Sequence, residues 1–457
     1  MGFIWHRRRN LMKIAFLHQP WNQIVPGKPQ GSVPIWTSQV AQRMSREHDV
    51  YIYSRRFDKT LDSEGYGNQR YIRVSSPIDE WVSRFVLPLI SLGDRQRPSM
   101  SSTLYFRQYY SRAAKDMASK GVEVVHVHSF PQAASIIRSF HPSVKIVIHL
   151  HVEWLNLLPP SVAQRQIQDA DLVLGCSDYV SSRIRQSFPA YSAKIRTLHN
   201  AVDVDLFKRK QCGDAQPDRE RRILLVGRIS PEKGIHILLK VFQRLLEEEY
   251  NLRLEIIGPE ALAPKEVIIN MSESEVVSRL RLFYDTTVWA RLRTRLRNRY
   301  PRRFWWLQDT TYGGALRALV KGKMADRVRF IGFIPNEDLP CWYRKADLVV
   351  LPSVYETFGI PLIEAMASGT PVLATRVGGI PEIVEDGRVG ILVEPGSVEQ
   401  LADGIRNLIR DDKRLFQMGE EARQMVIDKF SWDKAVTTLL QYYREILLTP
   451  AEPLTSR

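Results

Sequence analysis

The 457 residues carry a net charge of +15 and 44% hydrophobic side chains, an ordinary share for a globular protein, and the chain is too long for one hydrophobic core, so two domains of roughly 200 residues are expected. No apolar run reaches the ~18 residues of a membrane-spanning helix, and the start, MGFIWHRRRN, places its charges after a very short apolar piece, the reverse of a secretory signal, so a cytoplasmic protein is expected. Cys176, Cys212 and Cys341 show neither metal-ligand nor redox spacing, which sets disulfide and zinc chemistry aside.

LMKIAFLHQP (11–20) reads as a buried first strand ending in loop residues. A Gly/Pro-rich loop (25–34), a helix-like stretch IWTSQVAQRMSR and a second strand HDVYIYS follow. VEVVHVHSF and KIVIHLH are strands, QIQDADLVLGCS a helix end and strand, and Ser177 is placed to cap SDYVSSRIRQ. Apolar runs without alternation, separated by helical segments, imply parallel strands covered on both faces. KRKQCGDAQPDRERR (208–222) is polar and lacks periodic apolar residues, so it reads as a linker. The rhythm then restarts: ILLVGR is a strand, IHILLKVFQRLLEEE a helix with one apolar stripe, and LRLEIIG, RVRFIGF, ADLVVLPS, PVLATRV and GILVEPG supply five further strands. Two tandem doubly wound α/β domains result, and ligands of such sheets bind outside the carboxyl ends of the strands.

Charge is concentrated in residues 261–327, where fourteen Lys or Arg stand against six Asp or Glu. Within it, RLRTRLRNRYPRRFWW (291–306) sets seven arginines beside Tyr300, Phe304, Trp305 and Trp306. Basic residues next to interfacial aromatics suit an anionic membrane surface or a polyanion, and equally a solvated helix face with rings packed inward. No nucleic-acid module accompanies the charge, so nucleic acid is not expected as a partner.

Two strand-loop-helix passages carry chemistry. In VGRISPEKGIHILL, Arg228 leaves a strand and Lys233 precedes a helix, and two cations at a sheet's carboxyl edge can hold a diphosphate. In ADLVVLPSVYETFGIPLIEAMASG, Glu356 lies in the loop after a strand, and Pro361 opens a helix that carries Glu364 one turn in. Amides around Phe358, Gly359 and Ile360 present partial positive charge suited to phosphate, and a carboxylate nearby can accept from a vicinal diol. Glu364 reads alternatively as a helix N-terminal charge favoured by the dipole. IVIHLHVEW offers His149 and His151 at alternate strand positions, hence on one face. His126 and His128 read as packed or surface residues.

GRISPEKG and ADLVVLPSVYETFGIPLIEAMASGTPVLATRVGGIPEIVEDGRVGILVEPG together resemble the donor-binding half of the retaining family-4 glycosyltransferases. The resemblance is dense over 223–260 and 328–445 and looser over 12–207. It implies the GT-B fold: a Rossmann-like acceptor-binding domain over 12–207, a linker at 208–222, and a Rossmann-like nucleotide-sugar-binding domain over 223–429 with its basic aromatic insert at about 261–327. A crossover helix and tail at 430–457 would return to the first domain, and the donor would lie in an interdomain cleft. It further implies that Glu364 binds ribose hydroxyls, that Glu356 contacts the transferred sugar, and that Arg228 and Lys233 grip the diphosphate with backbone around Phe358, Gly359 and Ile360. Gly31 is similar to a loop glycine near the donor phosphate, although the usual pair is reduced to QGS, and His151 is the better match to a histidine near the reacting sugar. NAVDVDLF resembles an interdomain element in which Ala201 replaces a glycine.

The expected activity is transfer of a hexosyl unit from a UDP- or GDP-sugar to a hydroxyl of a glycan, lipid or small-molecule acceptor, with retention and with neither metal nor cofactor. His151, Arg228, Lys233 and Glu356 are the catalytic candidates, and an inner membrane face is a further candidate partner through 291–306. A nucleotide-sugar epimerase of the same fold, or a basic membrane- or nucleic-acid-binding protein, are the competing readings.

Overall fold

The computed structural model describes residues 11–21, 24–57, 62–87, 102–208, 220–261, 275–280, 283 and 311–449. One unit runs to Ala201 and takes back the chain from Trp432, while the other spans Val202–Ser431.

Among the described residues, the first unit holds an eight-stranded sheet. Its strands are β1 (Lys13–Leu17), β2 (Asp49–Arg55), β3 (Ser63–Tyr66), β4 (Gln69–Val74), β5 (Val124–His128), β6 (Lys145–Leu150), β7 (Leu172–Gly175) and β8 (Ile195–Thr197), in the order β3-β4-β2-β1-β5-β6-β7-β8. Ile14, Ala15, Phe16 and Leu17 are all fully buried, so both faces of β1 are covered, as uninterrupted apolar runs require. The pairing is parallel except at the edge, where β3 runs antiparallel to β4. This hairpin departs from the all-parallel expectation: its strand is the polar SEGY, turned by Gly67-Asn68, and too hydrophilic to register as an apolar run.

The helix Ser32–Met44 lays Val33, Trp36, Val40 and Met44 on the sheet. Helix Trp432–Leu448 buries Trp432, Ala435, Val436, Leu439 and Tyr443, and these share one core with Phe16, Trp36 and Ile52. Each such large side chain contributes ~1.5–3 kcal/mol on burial, which ties the carboxyl-terminal helix to this unit. Ser177 accepts from the Val180 amide at 3.2 Å and caps helix Asp178–Ser187, an arrangement worth about 1 kcal/mol.

The second unit has β9 (Arg221–Val226), β10 (Leu252–Ile257), β11 (Val328–Gly332), β12 (Leu348–Leu351), β13 (Val372–Thr375) and β14 (Gly390–Val393), ordered β11-β10-β9-β12-β13-β14 and parallel throughout. β9 pairs with β10 on one side and β12 on the other, so the strand order reverses between β9 and β12. That switch point parts the connections leaving the carboxyl ends of these strands, which is where sheets of this kind bind their ligands.

The first unit ends at Ala201 rather than at residue 207. Val202 donates its amide to the Phe430 carbonyl at 2.9 Å, and the Arg423 guanidinium holds the Phe207 carbonyl at 2.9 Å, so residues 202–207 are anchored to the second unit. Of the expected linker, residues 209–219 lie outside the described residues, as does Cys212. Cys176 is buried and Cys341 exposed, both as free thiols. The arginine-aromatic stretch 291–306 also lies outside the described residues, among which no helix is long and apolar enough to cross a membrane.

Candidate active site

The loops leaving β9 and β12 meet at the switch point. Residues Pro231–Lys233 form one turn of 3-10 helix before helix Ile235–Glu247. The Val354 amide donates to the Glu232 carbonyl at 2.8 Å, joining the two loops directly. Gly234, at φ 66°, passes so close to the Pro352 carbonyl that any Cβ would overlap it. A left-handed turn without a side chain is therefore required there.

This junction brings Lys233 and Glu356 together from 123 positions apart in sequence: Nζ lies 2.6 Å from Oε2. Their side chains are 13% and 12% exposed, so the pair is shielded from water and its attraction is stronger than at a surface. The other Glu356 oxygen accepts from the Thr357 amide at 3.2 Å. Behind this loop lies Gly378, at φ 53°, where a Cβ would fall within the Glu356 carbonyl oxygen. Arg228 does not join the Lys233 pair. Its Nη2 is 3.1 Å from Oε1 of buried Glu232, which also accepts from Ser230 Oγ at 2.5 Å.

After Glu356, Phe358 packs against Phe430 with ring centroids 5.8 Å apart, and Gly359 caps helix Ile360–Ala367 at φ 107° with no side-chain cap. Pro361 stands second in that helix. The helix presents its positive end at the loop that carries Glu356. Glu364, one turn further, is 6% exposed. It accepts from Asn336 Nδ2 at 2.9 Å and from Tyr343 Oη at 2.7 Å. Burial raises its pKa to about 7, against the opposing effect of the Tyr343 and Asn336 hydrogen bonds. The Tyr343 phenol, pushed well above its usual range by burial and by Glu364, stays protonated and donates. With one protein donor on each oxygen, the Glu364 carboxylate retains acceptor capacity for two further hydroxyls.

In the first unit Gly31, at φ 90°, precedes helix Ser32–Met44. The register of β5 on β6 sets His126 opposite Val147 and His128 opposite His149, so the two H-x-H alternations converge. Trp36 lies 5.0 Å, centroid to centroid, from each of His126, His128 and His149, and 6.4 Å from His151. His126 bonds Tyr443 Oη through Nδ1 at 2.7 Å and His149 Nδ1 through Nε2 at 3.2 Å. His128 Nδ1 lies 3.1 Å from His151 Nε2. Burial holds all four rings in the neutral form, His151 to a pKa of about 3. His149 is fully buried, whereas His151 is half-buried. One ring nitrogen from each of His126, His128 and His149 lies within 4.8 Å of the others, close enough to hold a metal ion in common. In the structure His126 and His128 instead have both nitrogens engaged in hydrogen bonds.

The partners of these residues were not legible in sequence. Glu232, Asn336, Tyr343 and Gly378 come from separate segments, and only Glu232, in the same short motif as Lys233, carried a local signal. His128, read as packed or surface, is packed and bonded to His151.

The model of the family described as Glycosyl transferases group 1 matches residues 209–280 and 316–425, and that of Glycosyltransferase Family 4 matches 35–206. Spore coat protein SA of Bacillus subtilis is 22% identical over 92% of this chain and 96% of its own length. A D-inositol 3-phosphate glycosyltransferase of Corynebacterium aurimucosum is 38% identical over 62% of this chain, and the match spans 59% of that protein. In structure, a sucrose-phosphate synthase from Thermosynechococcus elongatus aligns with TM-score 0.66 at 21% identity, covering 95% of this chain and 99% of that one. HepE of Anabaena, in complex with UDP and glucose, aligns with TM-score 0.59 at 18% identity, covering 95% and 99%.

Proposed function

This chain belongs to the group 1 glycosyltransferases, with a family-4 type amino-terminal half and two Rossmann-like parallel-sheet domains, and from that premise we propose that it transfers a hexosyl unit from a UDP- or GDP-sugar to a hydroxyl acceptor with retention of configuration. The observation that carries this reading is the shielded Lys233–Glu356 pair at the β9/β12 switch point, beside the Gly359-capped helix.

Lys233 has three N–H donors, so it can keep Glu356 and hold a phosphate oxygen at the same time. Arg228, 46% exposed at the side chain, has donors to spare beyond Glu232. The helix opening at 358–360 faces the same charge. Glu364 would accept from two ribose hydroxyls, and Glu356 would contact the transferred sugar. Gly31 would let the donor phosphate approach the first unit's helix, and His151 would meet the reacting sugar. In the reaction the anomeric C–O bond to the diphosphate breaks and a C–O bond to the acceptor forms on the same face, while the acceptor proton passes to the departing phosphate oxygen. These cations and amides stabilise that leaving charge without a metal ion. Acceptors are a glycan, a lipid or a small molecule, and the enzyme works in the cytoplasm, with 291–306 offering contact to an anionic membrane face.

Thermal shifts across UDP- and GDP-sugars test the donor class. One base series should stabilise the chain, and Glu364→Ala should abolish that shift. No stabilisation by any nucleotide sugar or nucleoside diphosphate would overturn the reading. Anomeric configuration in the isolated product tests retention, and undiminished turnover in chelator tests independence from metal.

A further inference from the structure

Helix Ser32–Met44 carries a threonine whose hydroxyl points at the histidine cluster. Thr37 is fully buried. Its Oγ1 lies 3.0 Å from the Val33 carbonyl oxygen and 3.0 Å from His128 Nε2. His128 Nδ1 in turn lies 3.1 Å from His151 Nε2. Four groups thus form one line: a carbonyl, a hydroxyl and two imidazoles.

The protons along that line can be counted. A carbonyl only accepts, and a hydroxyl has a single proton. If Thr37 donates to Val33, its oxygen accepts from His128 Nε2–H. His128 is neutral, so its Nδ1 then bears a lone pair and accepts from His151 Nε2–H. All three contacts become hydrogen bonds. If Thr37 instead donates to His128 Nε2, the order reverses along both rings. The Thr37–Val33 contact is then two oxygens at 3.0 Å with no proton between them, in a site with no exposure. The first arrangement makes one more bond and leaves no buried repulsion, and each lost bond there costs on the order of 1 kcal/mol.

We infer that Thr37 and His128 are positioning residues that hold His151 in its Nε2–H tautomer, presenting the Nδ1 lone pair as a hydrogen-bond acceptor to a hydroxyl of the sugar substrate. The role of His151 toward sugar rests on the function proposed above, whereas the tautomer rests on the hydrogen-bond geometry and on the full burial that keeps His128 neutral. Trp36, against three of the rings and near the fourth, prevents them from turning away. A histidine whose second nitrogen is fixed by a neighbour is a familiar way to choose which nitrogen faces a substrate.

The test is long-range proton–nitrogen NMR on the full chain with 15N-labelled histidine, His151 being assigned by comparison with His151→Gln. Native protein should show a protonated Nε2 and an unprotonated Nδ1 at His151. Thr37→Val removes the acceptor for His128 Nε2–H, so His151 should become a mixture of tautomers. The donor kcat/KM should then fall about fivefold to tenfold, and Thr37→Ser should restore both. Nδ1–H at His151 in the native chain, or a tautomer unmoved by Thr37→Val in a folded variant, would overturn the relay. A chain inactive toward all donors but holding the Nε2–H tautomer would sustain the relay and reject the transferase reading.

Discussion

Tyr343 and Glu364 meet at 2.7 Å, phenol donating to carboxylate, with both side chains buried and the acid held at a pKa of about 7. They come from helices Leu339–Lys345 and Ile360–Ala367, which precede and follow β12 in the chain. A carboxylate that, on the proposed function, would accept from a ribose is thus set in place before any ligand arrives, at an electrostatic cost that depends on pH.

That cost has a sign. The folded pKa lies above the usual carboxylate value of 4.5, so the folded state binds the proton more tightly than the unfolded chain. Stability from this group is full below about pH 4.5 and is lost as pH rises through 7. Glu364→Gln removes the penalty, about 3 kcal/mol at pH 8. Thermal unfolding of variant and native chains should therefore diverge between pH 5 and 8 in the variant's favour. Parallel curves would mean that the carboxylate is not held this way.

Lys233→Ala strips the shielded Glu356 of its cation. Single-turnover transfer should slow on the order of 10²-fold, as when one stabilising donor is removed from a leaving group. Ground-state donor affinity should change less. Adding Glu356→Gln should recover stability without recovering rate. An unchanged chemical step would contradict the role given to Lys233.

Gly378→Ala forces a Cβ into the Glu356 carbonyl from a left-handed backbone. Strain of order 1–3 kcal/mol would shift the loop, and donor affinity should drop although residue 378 carries no polar side chain. Calorimetric binding of nucleoside diphosphate measures this, and native affinity in a folded variant would show that the loop position does not matter.

Deleting 291–306 should abolish co-sedimentation with anionic vesicles at low salt and leave turnover of a soluble acceptor intact, because basic residues beside aromatics suit such a surface. Equal sedimentation of both chains would remove the membrane role.

Much of this protein is readable along the chain because its information is local. Uninterrupted apolar runs such as KIAFL and LVVL announce covered parallel strands. Ser177 announces its helix, and the spacing of Glu356, Gly359, Pro361 and Glu364 sets a carboxylate on either side of a helix opening. The polar hairpin strand Ser63–Tyr66 escaped because nothing in its composition asks for burial.

Pairings across long separations belong to the tertiary structure alone. Lys233 with Glu356, Tyr343 with Glu364, and Thr37 behind His128 and His151 all depend on which strand ends the sheet order brings side by side. Backbone register decides that order, and a linear pattern of apolar and polar residues does not encode it. Titration behaviour follows from the same source, since burial and specific donors, rather than residue type, raise Glu364 and keep the histidines neutral.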